Sequence, residues 1–85
     1  MDEEIIYKYL EELLSTLDIT LEQSDSYSGE GGLINLKGKK RLIISAYMPI
    51  PDRNTAICRV LSKMDLEGVS MVPVIRERIS GDEWE

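Results

Sequence analysis

The chain has 85 residues, of which 42% are apolar and 31% charged, with 16 acidic against 10 basic side chains, no histidine and a single cysteine. At this length it forms one small domain, which buries only about 60–65% of the surface its unfolded chain exposes. The composition excludes a bilayer-spanning helix, which takes roughly 20 consecutive apolar residues, an internal disulfide framework, and any metal site or general base that relies on imidazole.

Residues 2–17 read as an amphipathic helix. Ile5, Ile6, Tyr9, Leu10, Leu13, Leu14 and Leu17 recur at spacings of three and four, with Lys8, Glu11 and Glu12 between them. Asp2 is placed to cap the first turn, where Glu3 and Glu4 complement the helix dipole. The same acidic opening, MDEEIIYK, is the reverse of the basic start of a signal or transit peptide. With the lone thiol it predicts a cytoplasmic protein without a targeting segment.

Residues 19–23 alternate apolar and polar, as a half-buried strand does. A polar, glycine-rich loop follows over 24–32. Its Gly29-Glu30-Gly31-Gly32 run leads into a strand and lacks the Lys-Ser or Lys-Thr pair of a phosphate loop, so it reads as a connector. Ser26, Tyr27 and Ser28 are the polar groups a ligand would find there.

Residues 33–36 and 41–47 are β-prone runs joined through Lys37-Gly38-Lys39-Lys40. A type II′ turn centred on Gly38 and Lys39 sets Leu36 opposite Arg41 and Ile34 opposite Ile43 on one face. It sets Asn35 opposite Leu42 and Leu33 opposite Ile44 on the other. An apolar pair on each face predicts cover on both sides, helices on one and a neighbouring chain on the other.

Met48-Pro49-Ile50-Pro51 ends the strand. Asp52 then caps a helix over 53–64, with Ala56, Ile57, Val60, Leu61 and Met64 on one stripe. Residues 69–80 (VSMVPVIRERIS) suit a short helix with Pro73 in its first turn, while Val72 and Val74 also suit an edge strand; the helix is favoured. An acidic tail with Trp84 occupies 81–85, beyond a single domain over 1–80. The order α-β-β-β-α-α predicts an α+β fold, a three-stranded antiparallel sheet with helices packed on one face.

The net charge of −6 is unevenly spread: −8 over residues 1–36, +6 over 37–63 and −4 over 64–85. Lys37, Lys39, Lys40 and Arg41 form the densest cluster, and Arg53 follows in the next helix. These five are the candidate partner-binding residues. A basic hairpin suits an acidic protein surface, a second protomer included; nucleic acid or another phosphoryl ligand, held through its phosphates, is the alternative. Overall acidity and the absence of an aromatic residue among the lysines weigh against nucleic acid.

Catalytic groups are scarce. Cys58 has no histidine to activate it and reads as a small buried hydrophobe. The carboxylate groupings Glu11–Glu12, Asp25–Glu30 and Asp82–Glu83 lack the spacing of a calcium loop. A helix, a β-hairpin and a helix opening with a polar cap resembles the minimal core of small zinc metallopeptidases. The stretch matching that family's HExxH motif is Ala56-Ile57-Cys58-Arg59-Val60. It holds none of the motif's residues, so the resemblance implies neither the metal nor the peptidase. The sequence therefore predicts a protein-interaction or assembly module rather than an enzyme. It is expected to use no cofactor or metal, to touch no membrane, and to form a homodimer or bind an acidic protein partner.

Overall fold

The structure, a computed structural model, describes residues 2–26 and 32–80. Six elements follow in order: α1 (Glu3–Thr16), β1 (Ile19–Ser24), β2 (Gly32–Leu36), β3 (Lys39–Ser45), α2 (Ile50–Leu61) and α3 (Pro73–Ile79). The α+β class and the order α-β-β-β-α-α agree with the sequence. The 81–85 tail and residues 27–31 of the glycine-rich loop lie outside the described residues.

Local chemistry accounts for α1. The Asp2 carboxylate accepts the Glu4 N–H at 3.2 Å and closes the first turn. The helix buries Ile6, Tyr7, Leu10, Leu13 and Leu14, so Tyr7 rather than Ile5 belongs to the inner stripe. Asp18, at φ 59°, turns the chain out of the helix and into β1; a short polar side chain tolerates that left-handed position better than most.

The sheet is mixed, which corrects the antiparallel expectation. β3 lies in the middle of the order β1-β3-β2, parallel to β1 and antiparallel to β2. Two features produce this arrangement. Leu42 and Ile44 of β3 are fully buried, and the central place gives that strand a neighbour on each edge. The seven residues 25–31 between β1 and β2 leave room for a strand to be inserted, whereas a tight hairpin would have set β2 directly beside β1.

The hairpin turn also differs. Lys37 and Gly38 are its central residues, both at positive φ (52° and 82°), so that Leu36 faces Lys39, Ile34 faces Arg41 and Leu33 faces Leu42. This is a type I′ arrangement, whose twist matches that of the strands. Its register differs from the expected one by two residues. An even shift leaves every side chain on the same face, so the hydrophobic pattern serves both registers equally and the turn decides. Lys37 costs about 1 kcal/mol in its left-handed conformation; Gly38 costs nothing there.

The described helices cover the inner face alone. Ile6, Leu10 and Leu14 of α1, Ile57, Cys58 and Leu61 of α2, and Ile75 and Ile79 of α3 pack with Ile19 and Leu42 of the sheet. α2 begins at Ile50, ahead of the expected Asp52 cap: Pro49 precedes it without a side-chain cap, and Pro51 and Asp52 sit in the first turn. Proline fits there because first-turn N–H groups have no helical acceptor. α3 carries Pro73 at its start, as the helical reading of 69–80 requires.

Candidate protein-interaction surface

Alternation along the strands sets Thr20, Arg41 and Ile34 in one row of the outer face, with Glu22, Ile43 and Gly32 in the next and Lys39 beside Leu36 at the hairpin end. Among the described residues nothing packs on this face, because the core lies wholly on the other side. Ile34 is 39% and Leu36 57% exposed. Arg41 Nη1 lies 3.4 Å from Glu22 Oε1, and both side chains are about half exposed. Such a surface pair contributes about 1 kcal/mol at most and leaves the face open.

The fold brings four of the five candidate cations together. Lys37 is in the turn, Lys39 and Arg41 are on the outer face, and Lys40 is on the inner face opposite Asn35; all are exposed. Arg53 stands apart, past the far end of β3, roughly 20 Å along the strand. Its Nε donates to the Met48 carbonyl at 2.7 Å and its Nη2 to the Ala46 carbonyl at 2.9 Å. The guanidinium also lies 5.8 Å from the centroid of the Tyr7 ring. Gln23 Nε2 donates to the Tyr7 hydroxyl at 3.3 Å, so Arg53 ties the β3–α2 connection to α1 and β1.

A groove of about 490 Å³ runs between β2 and α2, lined by Leu33, Ala56, Val60 and Met64, with Arg59 and Lys63 along the helix side. It exists because α1 packs over β1 and α2 over β3, so no described helix lies above the inner face of β2. Both faces of this edge strand therefore combine apolar area with nearby cations.

A polar cluster that the sequence reading missed joins the three helices. Asn54 is fully buried, and its Nδ2 donates to the Glu3 carbonyl at 2.9 Å and to Glu3 Oε1 at 3.1 Å. Arg78 grips both carboxylate oxygens of Glu3, at 2.9 and 3.1 Å. The available signal was Asn54 at an inner stripe position, spaced three, four and seven residues before Ile57, Cys58 and Leu61.

The Arg78 hydrogen bonds first, and that from Asn54 second, hold the Glu3 carboxyl below its usual value. A depressed folded-state value means stability that is present above the unfolded-chain value of about 4.3 and lost as pH falls through the lower, folded one. Urea denaturation at stepped pH is expected to show this loss on the acid side, and Arg78→Met to flatten it. An identical acid limb in the variant would mean that the pair does not act on Glu3.

Cys58, the lone thiol, is sealed in the core. Among the described residues no group of three or more carboxylates and thiols is placed to hold a metal ion, and no helix is long and apolar enough to cross a membrane. The chain matches no family model, no curated protein and no solved structure.

Proposed function

We propose that the domain is a non-catalytic protein-interaction module that binds an acidic protein surface through the β2–β3 hairpin. The observation that carries this is the make-up of one exposed corner. Leu33, Ile34 and Leu36 lie uncovered on an edge strand, with Lys37, Lys39, Lys40 and Arg41 around them. Apolar area at such a corner supplies affinity, and the cations supply attraction and choice of partner. A second copy qualifies through α1, which exposes Glu4, Glu11 and Glu12. The buried thiol adds no reactive group to the surface.

A synthetic peptide alternating glutamate with valine is expected to bind at low salt, with affinity falling as salt screens the charges. Combining Lys37→Gln, Lys39→Gln and Lys40→Gln is expected to weaken binding about tenfold or more while the unfolding midpoint stays put. Calorimetric titration measures the binding, and thermal unfolding the midpoint. An inert peptide beside salt-sensitive binding of a single-stranded oligonucleotide would replace this reading with the nucleic-acid alternative.

A further inference from the structure

The two edges of the sheet are not alike. β1 presents Thr20, Glu22, Gln23 and Ser24 among its residues. β2 is Gly-Leu-Ile-Asn-Leu, with no proline and no charge, and among the described residues it has a neighbour on one side only. Charge, proline and bulges are how natural sheets keep an edge from pairing. β2 has none of these, so its unpaired N–H and C=O groups form a template for another strand.

What flanks the edge states what kind of strand fits. A strand laid beside β2 turns alternate side chains to opposite faces of the sheet. Those on the inner face meet the groove of Leu33, Ala56, Val60 and Met64, which is apolar. Those on the outer face lie by Ile34 and Leu36, with Lys39 and Arg41 one strand further in. Lys63 borders the groove on the inner side, and Lys37 and Lys40 crowd the hairpin end. The incoming strand is therefore apolar at alternate positions and acidic at the others. A second copy paired through its own β2 would set one Lys63 border against another, so charge disfavours that occupant at this edge.

We infer that the free edge of β2 takes an extended acidic segment of another protein as a fourth strand, with its apolar side chains seated in the groove between β2 and α2. This rests on the interaction-module reading and specifies how the partner docks. Main-chain pairing with β2 provides affinity independent of sequence, and the groove and cations provide selection.

The test uses two synthetic peptides of equal charge: one alternating glutamate with valine, the other with prolines among the same residues so that no continuous strand forms. Amide hydrogen exchange and titration are read on the whole chain. The alternating peptide is expected to slow exchange within residues 32–36 and to bind about tenfold more tightly than the interrupted one. Leu33→Glu, checked for native circular dichroism, is expected to weaken it by a similar factor, and Tyr47→Ser, at a site 79% exposed beyond the far end of β3, to leave it unchanged. Equal binding of both peptides without protection of β2 would overturn strand addition while leaving the acidic-partner reading standing. Binding of neither would remove both. Protection of 32–36 by self-association alone, seen by sedimentation without peptide, would give the edge to a second copy and overturn the inference.

Discussion

Leu42→Ala is expected to remove about 2–5 kcal/mol of folding free energy, a large share of the roughly 5–15 kcal/mol that a domain of ordinary stability has. Leu42 is the centre of the sheet: it is fully buried, faces Leu21 on β1 and Leu33 on β2, and belongs to the core beneath the helices. Truncation there removes buried apolar surface and leaves a cavity that the surrounding helices and strands close only in part. Urea unfolding should show a lower midpoint with little change in slope. Its neighbour Ile43 points to the outer face and is only partly buried, so Ile43→Ala is expected to cost about 1 kcal/mol or less. Comparable losses at the two positions would show that the outer face is covered in solution.

Asn54→Asp is expected to be at least as damaging, on the order of 3–5 kcal/mol at neutral pH. The native amide donates to both the carbonyl and the carboxylate of Glu3. A carboxylate in its place has no proton to donate and faces the same oxygens inside the fold. The sign of the pH dependence separates this cause from simple misfit. Burial beside a like charge raises the introduced carboxyl's folded-state value, so its penalty is small below the unfolded value of about 3.9 and grows as pH rises through the window above it. Asn54→Leu serves as the comparison. It gives up the same hydrogen bonds without adding charge, and it removes an Oδ1 atom that is already buried without a hydrogen-bond partner among the described residues. A milder loss is expected, confined in its pH dependence to the acid range where Glu3 titrates and flat above it, read from thermal unfolding at several pH values. Equal losses in the two variants at every pH would remove the electrostatic account.

The basic hairpin was legible because its four cations are contiguous or nearly so, and a two-residue turn keeps sequence neighbours together in space. Charge alone groups Arg53 with them. Its hydrogen bonds to the Ala46 and Met48 carbonyls come from the loop that β3 and α2 leave between them, which composition does not describe. The groove beside β2 was not legible either. It is a vacancy left by where α1 and α2 pack, and its lining combines β2 with a helix that begins well after the strand in the chain.

The Glu3, Asn54 and Arg78 cluster follows the same rule. Its members are 51 and 75 residues apart, and only the buried stripe position of Asn54 hinted that it had a partner.

By itself the sequence determined the elements and their order: spacing made the helices, Asp2 capped the first, prolines opened the second and third, and alternation marked the strands. These are local effects, settled within a few residues by side-chain periodicity and backbone restriction. Strand order and register were decided in three dimensions. A chain of three strands alternating in direction satisfies its local preferences as a meander or with the last strand inserted between the first two. The choice gave two neighbours to β3, the strand whose Leu42 and Ile44 are fully buried. The hairpin register, degenerate to a shift of two, turned on a single turn's handedness. Among the described residues that insertion also placed β2 at an edge, with one face bare and a groove on the other. The surface available to a partner is therefore a product of the tertiary fold, although the charges that border it were written in the chain.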